Sequence, residues 1–394
     1  MVEISLGALG YHRAVLSQVR RVDERAWAAL RDGEASDDEL SDALLRNTYR
    51  LEAASHAELH EAGRRAAEAL GLQVEIEYFQ AQGVGQPNAS LLHQGARAVI
   101  LFEGPLLERL DPDELTAVCG HELAHRVLWT LEDGAFLAVD RLLDAAAADA
   151  RTPAQYLETH RRWVMAGELF ADRGALVACG DLSTTVRALL KIQTGLGSVD
   201  PAAYLRQAGE LDLSTGSRGT SHPEGVARAW ALQNWLAGED VEVLLTGPLD
   251  VDAPDLLDAG LLRELSMDFA AHIAQTEGLR TDTVATYAAG FADPPGPLGV
   301  PGGAVPRFDE PLAIRPVDGA PIPRPRALTG ATRQYLCYLL LDLATADPEL
   351  GDDGLIASMA LARRAGLPEY DDLADDELGW SDQRRAELTR AVTP

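Results

Sequence analysis

Leucines at 40, 44 and 51 share one helical face. Ser36 and Glu39 ahead of them have capping-box spacing, which predicts a long helix running to about Leu70 and stopping at Gly71. The period then changes. Val74, Ile76 and Tyr78 alternate with Glu75 and Glu77, the pattern of a half-exposed strand over 73–79. Ala98 to Phe102 is continuously apolar and predicts a more buried strand. Between them "GVGQPNASLLHQGAR" reads as a loop that ends in a short edge strand. Asp111-Pro112-Asp113-Glu114 supplies an N-cap acid, proline at the first helical position and glutamate at the third, a strong helix start. Further helices are expected at 154–179, 183–195 and 223–238. A helix-rich chain with one small sheet ahead of the helix at 111 is α+β.

Beyond residue 240 the pattern shifts. Leu256, Leu257, Leu261, Leu262, Leu265, Phe269 and Ile273 are spaced to bury a face over 253–290. Residues 293–327 repeat proline and glycine ("DPPGPLGVPGG", "PIPRPRA") and read as a linker or a strap. A small helical unit follows, from Thr332 to about Ala391. The expected divisions are an N-terminal helical extension at 1–37, a core at 38–240, a helical extension at 241–292, a linker at 293–328 and a helical module at 329–394.

Composition narrows the function classes. The chain has 394 residues, 46% of them hydrophobic and 24% charged, an ordinary balance for a soluble globular protein. A formal net charge of -28 argues against binding a nucleic-acid backbone, and Lys191 is the only lysine. So much acid reads first as a solvated surface, with a preference for basic peptides as the functional alternative. Cys119, Cys179 and Cys337 are isolated, which excludes a CxxC metal pair and argues against a disulfide framework. The first residues lack the basic start and apolar core of a signal peptide, and no apolar run reaches the ~18 residues of a membrane span. A cytoplasmic protein is the expectation.

The chemistry gathers at "CGHELAHRVLWT", residues 119–130. His121 and His125 are four apart, so on a helix both imidazoles leave from one face and can converge on one ion. Glu122 sits about 100° further round, which places its carboxylate beside the ion. A water on zinc has its pKa lowered toward neutrality, and an adjacent carboxylate can take its proton. Arg126 departs from the strict zincin pattern, which prefers an uncharged residue there. His56 and His60 are also four apart, but their glutamate, Glu58, does not follow the first histidine, and the helix is polar; an exposed face is expected.

A third ligand decides the class. The metzincin continuation fails at Leu128 and Leu131, and no glutamate lies between Asp140 and Asp149 for a thermolysin-type ligand. "AGELFADRGA" at 166–175 places Glu168 and Asp172 four apart among apolar and small neighbours, so both acids are expected to point inward. Glu168 can close the site, and Asp172 can hydrogen-bond a ligand histidine and fix its tautomer.

With "SHPEGVARAWAL" at 221–232 and "QPNASLL" at 86–92, these motifs resemble the CAAX-prenyl-protease/HtpX-like zinc metallopeptidases, in the family's order, over about residues 38–238. The resemblance implies a gluzincin-type core and one zinc per chain held by His121, His125 and Glu168. Glu122 is then the general base and Asp172 supports a ligand. Asn88 and Ala89 lie on the edge strand that pairs with substrate backbone. His222 and Arg228 take the family's His-Pro-x4-Arg positions near the metal, His222 as a donor to the oxyanion. The membrane helices of the family's integral members are missing. Residues 335–367 resemble TerB-like helical domains, an interaction or stabilising module. The implied activity is a zinc endopeptidase acting on protein or peptide. The alternative is a zinc-bound, non-proteolytic scaffold that recruits partners through its acidic C-terminal module.

Overall fold

The computed structural model describes residues 6–22, 37–83, 85–94, 97–213, 215–291 and 327–392. These divide into two compact units, one ending at Gly247 and the other beginning at Pro248. The first contains α1 (Gly10–Val22), α2 (Asp37–Asn47), β1 (Thr48–Arg50), α3 (Ala57–Ala69), β2 (Glu75–Ala81), β3 (Asn88–Gln94) and β4 (Arg97–Glu103). It continues through α4 (Pro112–Thr130), α5 (Ala135–Ala148), α6 (Ala154–Cys179), α7 (Leu182–Thr194), α8 (Pro201–Ala208), α9 (Gly225–Leu236) and the single turn α10 (Val243–Thr246). The second contains α11 (Leu256–Gln275), α12 (Asp282–Ala289), α13 (Gly330–Thr345), α14 (Gly351–Ala365), α15 (Tyr370–Leu378) and α16 (Asp382–Ala391). The fold is α+β and rich in helix. No helix among the described residues is long and apolar enough to cross a membrane.

The sheet has the order β1-β2-β4-β3. β4 runs parallel to β2 and antiparallel to β3, and its Ala98, Val99, Ile100 and Phe102 are fully buried. β3 is an outer strand, as β1 is at the other edge, and is seven residues long rather than the short edge expected. The single helix expected from Ser36 to Leu70 is instead two helices parted by β1. Thr48, Tyr49 and Arg50 pair antiparallel with Ala81, Gln80 and Phe79 of β2, and a sheet partner more than twenty residues away overrides the local helical period. Ser36 lies outside the described residues.

Asp111 caps α4 as its sequence requires. Its carboxylate accepts from the backbone N–H groups of Asp113 and Glu114, and the Glu114 carboxylate accepts from the Asp111 N–H. Glu114 is fully buried, and Lys191 Nζ donates to it at 2.7 Å, so the single lysine ties α7 to the start of α4. α4 and α6 cross at small residues. A Cβ on Gly120 would collide with that of Ala178, and one on Gly174 with that of Ala124. Only glycine at both positions allows this approach.

The expected outer boundaries of the first unit move. α1 belongs to this unit: Leu9, Val15 and Leu16 are buried, and His12 packs edge-on to Trp163 of α6 at 4.9 Å between ring centroids. The Glu242 carboxylate accepts from the N–H groups of Gly10 and Tyr11 at 2.6 and 2.7 Å, a cap delivered from beyond residue 240. In the second unit, Leu261, Leu265, Phe269 and Ile273 of α11 share one core with Leu336, Leu340 and Leu343 of α13 and Met359 of α14. The sequence division that separated 241–292 from 329–394 therefore cuts through a single core. Most of the expected linker, residues 293–328, lies outside the described residues.

Candidate metal centre

α4 and α6 bring three ligand-type groups together. The ligand atoms of His121, His125 and Glu168 all lie within 4.8 Å of one another. His121 Nε2 is 3.4 Å from one Glu168 oxygen, and His125 Nε2 is 3.7 Å from the other. His121 Nδ1 faces Asp172 Oδ1 at 3.2 Å, so Nδ1–H donates to the carboxylate and Nε2 is left directed at Glu168. Arg228 of α9 donates to both Asp172 oxygens, from Nε at 2.7 Å and Nη2 at 2.6 Å, and Nη2 lies 3.2 Å from Glu168 Oε2. Even so, Glu168 Oε2 is buried without a hydrogen bond. A buried carboxylate with one oxygen left so, and with each oxygen facing an imidazole, fits a cation better than it fits a closed hydrogen-bond network. Two imidazoles and one carboxylate suit zinc, and such a set leaves a position open.

The electrostatics follow from burial and charge. Burial works against a charged His121, but Asp172 and Glu168 outweigh it and lift the imidazole to about 10. Burial pulls His125 down to about 4, which keeps it neutral. Burial alone would raise Glu168 and Asp172; the Arg228 guanidinium and His121 override it and hold both below the ordinary carboxylate range. Burial pushes Glu122 up to about 7, and the charges of His121 and Arg228 with a hydrogen bond from the Leu91 backbone offset it only in part. That is a carboxyl poised for proton transfer near neutrality.

These groups line a cleft of about 520 Å³. Asn88, Ala89, Ser90 and Leu91 of β3 form one side, so all nine residues singled out from the sequence border a single cavity. Asn88 Nδ2 donates to Glu103 across the strand pair at 3.1 Å. His222 is exposed, with Nε2 3.5 Å from Glu168 Oε1 and Nδ1 3.0 Å from the Ser221 hydroxyl. The loop before it is pinned. Arg161 donates to the Gly219 carbonyl at 2.7 Å, and Glu224 accepts from the Ser217 hydroxyl at 2.6 Å. Arg126 turns away from the site and donates to the Arg97 carbonyl at 3.1 Å. His160 pairs with Asp144, and Glu158 with Arg161 and Arg162, so neither joins the cluster.

Sequence reasoning missed the rest of the wall. α7 contributes Thr185, Ala188, Leu189, Ile192 and Gln193, and α4 contributes Trp129. Trp129 had a readable signal, four residues beyond His125 on the same helical face; α7 had none, because nothing local ties it to α4.

A helix-rich α+β unit with HExxH on one helix and an acid from a second defines a metallopeptidase architecture. Residues 53–236, which lie within the first unit, match the model of peptidase family M48. It is similar to Plastoglobule-localized metallopeptidase 48, chloroplastic, of Arabidopsis thaliana, at 30% identity over 210 residues. That alignment covers 48% of this chain and 60% of the relative's length. No solved structure matches the chain.

Proposed function

We propose that the chain is a zinc-dependent endopeptidase, with one zinc held by His121, His125 and Glu168 and with Glu122 as general base. The observation that carries this reading is the convergence of those three ligand groups at the floor of a cleft edged by an outer β-strand. Zinc, when bound, supplies a Lewis acid that polarises the scissile carbonyl and lowers the pKa of water. The chain's own groups do the rest. The open edge of β3, at Asn88 and Ala89, pairs with an extended substrate backbone, which accepts a segment within a chain as well as a terminus. Glu122 takes a proton from the attacking water and passes it to the departing amine. His222, at the cleft mouth, donates to the oxyanion as the carbonyl becomes tetrahedral. Arg228 and Asp172 keep His121 in one tautomer.

The test is metal content together with cleavage of casein and a peptide library, comparing wild type with Glu122→Gln. Both should carry one zinc per chain. The variant should lose hydrolysis by about 10²- to 10⁴-fold, the usual contribution of a positioned base. A wild-type chain that holds zinc yet cleaves nothing would leave the scaffold reading in its place.

A further inference from the structure

Trp129 lies one turn beyond His125 on α4, so it extends the stripe that carries His121 and His125. It is half-buried and forms part of the cleft wall. Its ring centroid is 6.2 Å from that of His125, with the planes inclined by 33°. A half-buried indole at the end of a helix would ordinarily be free to change rotamer. This one is held. α4 ends at Thr130, and the chain reverses through Leu131–Gly134 with Glu132 and Asp133 at φ of 48° and 56°, then Gly134 at 81°. Left-handed backbone is disfavoured for residues with side chains, and it persists where surrounding contacts over-determine it.

The contacts to the Trp129 ring come from α5, which the reversal returns against α4 and α6. Asp140 of α5 accepts from Trp163 Nε1 at 2.9 Å and is hydrogen-bonded by the Trp129 indole as well. Phe136, one turn earlier on α5, stacks on Trp163 with centroids 6.3 Å apart. With its N–H turned toward Asp140, what Trp129 offers the cleft is chiefly the carbon surface of its ring. The rest of the apolar wall differs in kind: Ala117, Val118, Ala188, Leu189 and Ile192 are aliphatic.

We infer that Trp129 is a specificity-determining wall of the cleft that receives an aromatic side chain of the peptide, and that Asp140 is the residue that positions it. This rests on the peptidase reading above. Aromatic rings pack in offset or edge-to-face pairs at centroid separations of about 4.5–7 Å, and a ring fixed in place by its own N–H loses little freedom on receiving a partner.

The experiment uses the zinc-loaded full chain and fluorogenic peptides in which one Phe, Leu or Arg is moved through successive positions of an otherwise Ala/Gly sequence. Wild type should prefer Phe over Ala at one position by about three- to tenfold in kcat/KM, mainly through KM. Trp129→Ala should erase that preference with zinc content unchanged, and Trp129→Phe should keep most of it. Asp140→Asn should narrow the ratio of Phe-peptide to Ala-peptide cleavage with zinc content unchanged. An equal fall for every peptide, loss of zinc in Trp129→Ala, or a preference for Arg over Phe at that position overturns the inference. If Trp129→Ala does not fold, Trp129→Leu is read the same way. If wild type cleaves none of the peptides, the peptidase reading fails separately, and calorimetry with peptide hydroxamates carrying Phe or Ala decides this one. Tighter binding of the Phe compound that disappears in the Trp129 variants upholds it; equal binding, or none, overturns it.

Discussion

His56 and His60 are spaced like His121 and His125, and His60 borders a hollow of about 510 Å³, almost the volume of the cleft at 520 Å³. The two pairs nonetheless differ in every chemical respect. His56 is the cap residue of α3, with φ −133° and ψ 48°, and its ring meets the Ser55 hydroxyl at 3.0 Å. His60 is spent on the Leu51 carbonyl at 2.8 Å and stands edge-on to Tyr78. His121 and His125 lie in mid-helix with both Nε2 atoms facing an acid from another element. Spacing supplies two imidazoles on one face. A second helix, pressed close enough to deliver Glu168 and Asp172, turns that face into a candidate metal centre.

The contrast can be broken at its strongest point first. Glu168→Ala should remove most bound zinc and, with it, hydrolysis, as read by metal analysis of the dialysed protein; full zinc and activity would show that another group closes the site. Asp172→Asn should act more mildly, lowering zinc affinity or activity by about 10- to 100-fold, as loss of a group that orients a ligand does. A competition titration with a chromogenic chelator measures it, and an unchanged affinity would separate Asp172 from the site.

The helix crossing gives a sharper comparison. Gly174→Ala and Gly63→Ala both add a methyl where none fits, against Ala124 and against the Tyr78 hydroxyl respectively. Each should cost about 1–3 kcal/mol in a denaturant titration. Only Gly174→Ala should also weaken zinc binding, because it parts the helices that carry the ligands. If both leave zinc affinity alone, close approach of α4 and α6 is not what assembles the centre. The smallest effect belongs to His60→Ala. It should lower stability by about 1 kcal/mol through the lost bond to Leu51 and leave zinc content and cleavage as they were. A change in either would return the first pair to consideration.

Much of the first unit was legible. The start of α4 at Asp111-Pro112, the buried strand β4, the span of α6 and the stripe of His121 and His125 are each written in neighbouring residues, because capping, side-chain alternation and the helical repeat act over a few positions. Glu168 and Asp172 were legible as inward-facing acids from their apolar neighbours. The break between α2 and α3 was not, since Thr48–Arg50 is a run of three, too short to show strand alternation, and is fixed by β2. Nor was the shared core of α11 and α13, which lie on either side of the proline-rich stretch.

What the sequence determined by itself is therefore the set of elements with local signals and the chemical groups each one carries. The tertiary structure alone decided which groups meet. Glu168 reaches the histidines because Gly120 and Gly174 let two helices touch. Arg228 locks Asp172 from a helix more than fifty residues on, and Trp129 is fixed by an acid delivered around a left-handed reversal. A periodicity records which way a side chain leaves its own helix. It holds no record of what stands opposite, because that depends on steric fit between segments distant in the chain, and only packing resolves it.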